Sequence, residues 1–456
     1  MPFRHALKAC ALAVTYLAVS LALSGAACLG EAAQAPPATD VVLDNGLRIL
    51  VLEDHRNPIA TIQTWYKVGS RNEIPGATGL AHFLEHMMFK GTPTHGKGQF
   101  ARIVEGNGGQ DNAFTSHDVT SYYVNIAADR VDLVLGLEAD RMRNLLLDPK
   151  EIDSERQVVA EERRTRSEDD PDGYLSEEFL AAAYKAHPYG WPVIGWMQDI
   201  LRVSQTELRA FYNRHYQPNN ALLVVAGDVD TRRVIARARE TFGRLPRGPA
   251  PHAMDSVEPP QLAERRVLVY KADARAPIVY IGFHVPNYTS KDAPALELLS
   301  TILQEGRASR LYRRLVYERR LALSIGGDYA YLSHDPNLFW FSGTPLPGQT
   351  PEALEQAIMA EIERVKSEPV PEEELERAKN QIESGFVWRQ DSVYSRAASL
   401  ARFELAGSWR NSESYVPLIR QVTAADLQRA ARAYFQTDRR TVGVLLPGAP
   451  PAAPGK

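Results

Sequence analysis

Two histidines four residues apart, with a glutamate directly before the second, make up the segment His82-Phe83-Leu84-Glu85-His86. On a helix, residues four apart share a face one turn from each other, so both imidazoles can reach a single metal ion. Neutral imidazole suits zinc, and a catalytic zinc takes three protein ligands and leaves one position for water. Glu85 lies beside the ligand pair without belonging to it, placed to take a proton from that water. The order reverses the commoner His-Glu-x-x-His and is itself a catalytic arrangement. With 11 histidines in the chain, chance produces this spacing in roughly one or two chains per hundred of this length, so a third ligand has to be found.

The candidates lie about 75 residues downstream. Asp153 to Arg166 reads DSERQVVAEERRTR, a charged stretch with helical character. Glu155 and Glu162 are seven apart, on one face and two turns from each other. A carboxylate there completes a two-histidine, one-glutamate set, an established ligand combination for catalytic zinc. A glutamate-rich helix alone is more often a solvated face. Beside the upstream pair it becomes a source of the missing ligand.

With these motifs the chain resembles the pitrilysin/insulinase family of inverted zinc peptidases, in particular its two-domain branch, which includes mitochondrial processing peptidase and bacterial relatives. The residues that carry the resemblance are Asp44-Asn45-Gly46-Leu47-Arg48 on the first strand, Gly69-Ser70-Arg71-Asn72-Glu73 before the metal helix, and the run from Gly79 to Thr92 around the histidines. Asn112-Ala113-Phe114-Thr115, Asp118, Thr120, Tyr122-Tyr123 and His187-Pro188-Tyr189-Gly190 extend it. The resemblance implies that His82, His86 and Glu162 bind one zinc ion per chain, that Glu85 is the general base, and that Glu155 supports the site from outside the ligand set. Glu161 falls on another helical face and is given no role. Asn112, Ala113, Phe114 and Thr115 resemble the family's edge strand, which pairs with substrate backbone by strand addition; an ordinary sheet edge reads the same way.

One position pair departs from the family. Members that work with their own second half carry an Arg and a Tyr seven residues apart, which bind substrate backbone and help stabilise the tetrahedral intermediate. Here the matching stretch runs from Leu315 to Leu323, and Val316 and Leu323 occupy the two positions. Neither side chain donates a hydrogen bond, and losing such donors costs about 3–4 kcal/mol of transition-state stabilisation. The family includes heterodimers in which a zinc-free chain contributes substrate-binding groups. Tyr317 or Arg319 could substitute only from a shifted register and in other directions, so the expectation is a related, zinc-free partner subunit that supplies the Arg/Tyr pair.

The elements that must position these residues form a weak repeat. Residues 203–229 overlay 422–448 without a gap, with Val203, Leu208, Gln217 and Val225 matching Val422, Leu427, Gln436 and Val444 at a constant offset of 219. Both segments open with a capping pattern, Ser204-x-x-Glu207 and Thr423-x-x-Asp426, and pass through a helix into a short apolar strand. Their shared order of cap, helix, turn and strand reads as a duplication. Each half reads as α+β, a mainly antiparallel sheet with helices packed on one face. The boundaries are an N-terminal zinc-binding peptidase domain over 36–245, a proline-rich linker over 246–262, and a homologous C-terminal domain over 263–456. The second half's counterpart helix, Ala293 to Gln304, has no histidine.

Length and composition set the outer bounds. A chain of 456 residues exceeds one ordinary core. Hydrophobic residues at 44% and charged residues at 24% suit a globular protein, and a formal charge of −4 gives no basic footprint for nucleic acid. Residues 1–35 read as a secretory signal: Arg4 and Lys8, an apolar run from Ala9 to Leu23, then Ala33-Gln34-Ala35. Gly25-Ala26-Ala27 offers an alternative exit. Gly25 stands where a lipoprotein signal wants a larger apolar residue, which argues against lipid attachment at Cys28. Removal of this leader takes away Arg4, Lys8 and Glu31, moving the charge to −5, and takes both cysteines, Cys10 and Cys28. A cysteine-free chain without a further apolar span fits a periplasmic or secreted location.

The functional expectation is a periplasmic zinc endopeptidase acting on peptides or unfolded segments. The alternative is a catalytically weak structural subunit of a complex. A metal-dependent hydrolase of a non-peptide substrate fits the site chemistry but not the edge strand and two-half architecture.

Overall fold

A computed structural model describes residues 38–250, 254 and 256–449. The leader over 1–35, with Cys10 and Cys28, lies outside the described residues. Strands β1 (Thr39–Val42), β2 (Arg48–Glu53), β3 (Ile59–Tyr66), β4 (Gln110–Thr115), β5 (Thr120–Ala127) and β6 (Ala221–Gly227) form one sheet in the order β1-β2-β6-β3-β5-β4. Its helices are α1 (Leu80–Met87), α2 (Gln99–Gly106), α3 (Val131–Asn144), α4 (Pro149–Arg163), α5 (Pro171–Ala183), α6 (Met197–Ile200), α7 (Gln205–His215) and α8 (Thr231–Thr241). Strands β7 (Arg265–Lys271), β8 (Ile278–Val285), β9 (Ala322–Tyr329), β10 (Asn337–Pro345) and β11 (Arg440–Pro447) form the second sheet, ordered β7-β11-β8-β10-β9. It carries α9 (Ala293–Gln304), α10 (Pro351–Ser367), α11 (Glu372–Arg389), α12 (Val393–Ala406), α13 (Asn411–Gln421) and α14 (Ala424–Tyr434). Each sheet is antiparallel except for one pair, β2 with β6 and β7 with β11. Among the described residues no helix is long and apolar enough to cross a membrane.

The halves are copies in detail. On α7, Ser204 Oγ accepts from the Glu207 amide at 3.2 Å and the Glu207 carboxylate accepts from the Ser204 amide at 2.9 Å. On α14, Thr423 and Asp426 make the same reciprocal bonds at 3.2 Å and 3.0 Å. Strands β3 and β8 also begin 219 residues apart, at Ile59 and Ile278. One motif sits differently from the sequence reading. Asp44-Asn45-Gly46 forms the turn between β1 and β2, not part of a strand, because Gly46 takes a φ of +91°. The Asn45 amide then donates to the carbonyls of Phe242 and Leu245, pinning the turn against the end of α8.

Each half buries one sheet face against its own helices. Ile49, Val51, Ile62 and Val225 meet Phe83, Leu84 and Leu208 in the first core; Val279, Ile281 and Phe283 meet Leu299, Ile358 and Leu427 in the second. The opposite faces are covered by an exchange. Helix α5 leaves the first half and packs on β7, β8 and β11, seating Leu175 and Phe179 beside Tyr280 and Leu445. Helix α12 leaves the second half and packs on β3 and β6. The close approach of α5 requires glycine beneath it, since a Cβ at Gly282 would lie 2.6 Å from the Phe179 ring. Burying a large apolar side chain contributes roughly 1.5–3 kcal/mol. Phe179 and Leu175, both at 1% exposure or less, carry much of the apolar contribution at these seams, and ion pairs accompany them. Those pairs fix position: Arg396 to Asp54 at 3.3 Å and Glu404 to Arg48 at 2.6 Å on the α12 side.

Candidate metal centre

Helix α1 begins at Gly79, whose φ of +83° lets the backbone turn sharply; a Cβ there would sit 2.5 Å from the Ile194 carbonyl. Glycine has no side chain to cap the helix, and Glu73 does so from the preceding turn. Its carboxylate accepts from the Gly79 and Ala81 amides at 2.7 and 2.8 Å. Burial pushes the Glu73 carboxyl up to about 8 against the pull of these donors. The cap fixes the start of the turn that carries His82 and His86. Phe83, Leu84 and Met87 occupy the opposite, buried side of α1 and set its rotation against the sheet.

Helix α4 supplies the carboxylates. Asp148 caps it and Pro149 opens its first turn. Arg163 near its end holds Glu177 of α5 through two bonds, at 2.9 and 2.7 Å. The α-helix ends at Arg163, and Arg164–Glu168 continue as a π-helical turn. Glu162 faces both histidines, with His82 Nε2 at 3.6 Å from Oε1 and His86 Nε2 at 3.3 Å from Oε2. Glu155, one face-repeat earlier, accepts from His86 Nδ1 at 2.9 Å. Lys90 pairs with the other Glu155 oxygen.

The donor set fits zinc. Ligand atoms of His82, His86 and Glu162 lie within 4.8 Å of one another. Zinc bonds of about 2.0–2.1 Å in a tetrahedron place neighbouring donors roughly 3.4 Å apart, and the two Nε2–carboxylate distances bracket that value. Glu155 holds the His86 ring so that Nε2 faces the shared centre, the usual arrangement behind a metal-binding histidine. His82 Nδ1 is buried, and among the described residues it has no hydrogen-bond partner to fix the tautomer of that ring. The electrostatics point the same way. Burial works against charge on His86, but hydrogen bonds to Glu155 and Glu162 carry it up to about 9. Hydrogen bonds from His82 and His86 hold the Glu162 carboxyl well below the usual range. Burial raises Glu155, but bonds from His86 and Lys90 leave it lowered. These carboxylates create a strongly cation-seeking pocket.

Glu85 points from α1 toward the sheet, where Thr115 Oγ1 donates to its carboxylate at 2.6 Å. Thr115 ends β4, which carries Asn112, Ala113 and Phe114 and among the described residues pairs only with β5. The outer edge of β4 is thus open for another strand. Phe114 packs edge-to-face on Trp65, with ring centroids 5.4 Å apart. Both line a cleft of about 1080 Å³ between the halves, with Tyr331, Trp340 and Tyr415 on the far side. Val316 packs partly against the second core, and Leu323 is exposed on β9, the edge of the second sheet.

Three residues that the sequence reading gives no role contact the site. Lys90 and Arg166 each lie four positions after a site residue, His86 and Glu162, so helical spacing could have flagged them; Arg166 holds Glu162 Oε1 at 2.7 Å. Glu73 acts across a loop, and no periodicity announces it.

The second half keeps the outline of the pocket without its chemistry. Adding 219 to His82, His86, Glu155 and Glu162 gives Thr301, Glu305, Glu374 and Gln381, and all four line one small pocket between α9 and α11. The counterpart of Glu85 is Gln304. With its amide oriented to satisfy both ends, it donates to the Trp340 carbonyl and accepts from the Asp328 amide, each at 3.2 Å. The residue that meets the edge strand in the first half has become a structural tie in the second.

A duplicated α+β protein with, among the described residues, one two-histidine, one-glutamate cluster and a second copy of it without histidines is the class this geometry defines. Residues 48–195 match the family described as insulinase (peptidase family M16), and residues 202–382 match the peptidase M16 inactive domain. The chain is 34% identical over 418 residues to the zinc protease PqqE of Helicobacter pylori, covering 90% of this chain and 93% of that protein. A crystal structure of a protease from Helicobacter pylori superposes with a TM-score of 0.88 at 34% identity, over 90% of this chain and 100% of that one. A peptidase M16 inactive domain from Pseudomonas fluorescens shares the fold at a TM-score of 0.81 and 18% identity, over 91% and 98%. The chain belongs to peptidase family M16, the insulinase family.

Proposed function

We propose that the chain is a periplasmic zinc endopeptidase that hydrolyses peptides or unfolded segments and works as the zinc subunit of a heterodimer. The observation that carries this reading is the convergence of His82, His86 and Glu162 on one centre, with Glu85 beside it and bonded to an open sheet edge. His82, His86 and Glu162 would hold a zinc ion, which when bound would bring the pKa of a ligand water to near 7 and polarise the scissile carbonyl. Glu85 takes the proton of the attacking water and later delivers it to the leaving amine. Thr115 fixes the Glu85 carboxylate. The free edge of β4, through Asn112 to Thr115, holds substrate backbone extended alongside. Glu155 and Lys90 keep the His86 ring in its working orientation. The leader pattern supports export, and the relative named as a zinc protease supports the chemistry.

The partner rests on Val316 and Leu323, which supply no donors where the family's Arg and Tyr stand. That same absence favours the second reading, a catalytically weak structural subunit. Metal analysis with a peptide-digest assay of the wild type and Glu85→Gln, each with and without a related zinc-free chain, separates them. Bound zinc, hydrolysis abolished by Glu85→Gln and strong activation by the partner support the first reading. Hydrolysis indifferent to Glu85→Gln overturns it.

A further inference from the structure

The second half reaches the first through a cluster of charged and polar groups that neither the metal centre nor the exchanged helices require. The β9–β10 turn presents His334 and Asp335. It is braced from within, since the Asn287 amide donates to the carbonyls of Ser333 and His334 at 2.9 and 2.7 Å, and Ser333 Oγ donates to the Asp335 carbonyl at 2.8 Å. Asp335 Oδ2 takes the Arg71 guanidinium at 2.6 Å and His187 Nε2 at 3.0 Å. His187 Nδ1 accepts from the Tyr189 amide at 3.2 Å, so Nε2 carries the proton and donates. The reciprocal carboxylate is Asp118 of the first half. Its Oδ2 accepts from the His334 amide at 3.0 Å, and its Oδ1 accepts from the Tyr189 hydroxyl at 2.7 Å. Tyr189 closes the ring by accepting from the Asp335 amide at 3.1 Å. Each half thus places one carboxylate on the other's donors.

The first-half members sit at two places that matter for the site. Arg71 lies on the turn that leads through Glu73 to the cap of α1. Asp118 lies on the turn that follows Thr115 and the edge strand. Those turns are also joined by backbone bonds from Ser70 to Ser116 at 3.1 Å and from Arg71 to His117 at 3.0 Å. A Cβ at Gly69 would meet the Ser116 carbonyl at 2.3 Å, so the contact is as close as backbone allows.

We propose that Asp335 and Asp118 form a clasp through which the metal-free half sets the alignment of edge strand β4 against the metal helix, making Asp335 a positioning residue for extended substrates. The proposal rests on the peptidase reading for its kinetic consequence but not for its structural one. Asp335→Asn keeps the shape and removes the charge facing Arg71, with Asp335→Glu as the conservative variant.

Amide hydrogen exchange of the full chain tests the structural part. Asp335→Asn is expected to speed exchange at Ser70, Arg71 and Ser116 to Val119 while leaving α4 and the zinc content unchanged. No change at those amides, or a uniform rise across both sheets, overturns the clasp. Turnover tests the positioning part. A peptide long enough to lie along β4 is expected to lose roughly 10- to 100-fold in kcat/KM, mostly through KM, as displacements far from the chemistry can cause. A short peptide ending at the metal is expected to change by less than about two-fold, and Asp335→Glu to recover much of the loss. Equal losses on both substrates overturn the positioning role. If the wild type cleaves neither peptide, the endopeptidase reading fails while the exchange measurement still judges the clasp.

Discussion

Thr115 donates its hydroxyl to Glu85 at 2.6 Å, joining the last residue of an open sheet edge to the carboxylate beside the two histidines. The bond ties the Glu85 carboxylate to the end of strand β4.

Replacing Thr115 with valine removes that donor at nearly constant shape. A hydrogen bond to a charged group contributes about 1.5–3 kcal/mol, so kcat for a peptide is expected to fall roughly ten-fold or more. Zinc content, measured by atomic emission, should not change. Loss of zinc together with activity would show that Thr115 supports the ligands rather than the base.

Glu155 and Lys90 form a line behind His86. Glu155→Gln and Lys90→Met are expected to weaken zinc binding by roughly 10- to 100-fold, Glu155→Gln more strongly, as partners behind metal ligands generally do. Competition with a chelator of known affinity measures this. Unchanged affinity in both variants would place the line outside the metal's influence.

The silent pocket of the second half predicts a gain. Thr301→His, Glu305→His and Gln381→Glu together reproduce the ligand set at positions already grouped around one small cavity. The triple variant should bind two zinc ions per chain where the wild type binds one. A stoichiometry still at one would mean that α9 and α11 no longer hold the spacing of α1 and α4.

Acid should loosen the seam under α12. Hydrogen bonding to Arg48 lowers Asp40 from 3.8 to about 2, and hydrogen bonding to Arg56 lowers Asp54 by the same amount. Carboxyls depressed in the folded state contribute stability that is complete above about pH 4 and is lost as pH falls through about 2. Asp54 also meets Arg396, and Asp40 accepts from Trp409 Nε1 at 3.0 Å, both from the second half. Denaturant melts between pH 5 and 2 should show this decline, and Asp40→Asn with Asp54→Asn should flatten it. An equally steep decline in the double variant would assign the acid sensitivity elsewhere.

The histidine helix, the carboxylates that meet it and the duplication are legible in the sequence because they are local or strictly spaced. His82 and His86 are one turn apart, and Glu155 and Glu162 two. The capping boxes at Ser204 and Thr423 depend only on residues three apart. The exchange of α5 and α12 is not legible. Every residue of Ala221–Gly227 is buried, so β6 reads as a continuous apolar run, which shows burial on both faces but not what covers the second. The clasp is hidden for another reason: Arg71, Asp118, His187 and Asp335 are brought together by topology, and nothing in their spacing suggests a meeting. The Glu73 cap fails for the same cause on a smaller scale, since it replaces a side chain that Gly79 lacks.

The crossing of α5 and α12 bears on how the chain arose. A helix lent in each direction across equivalent sheets has the symmetry of a two-fold, domain-swapped dimer of a single half. With both copies on one chain, the positions of His82, His86 and Glu162 in one half could become Thr301, Glu305 and Gln381 in the other.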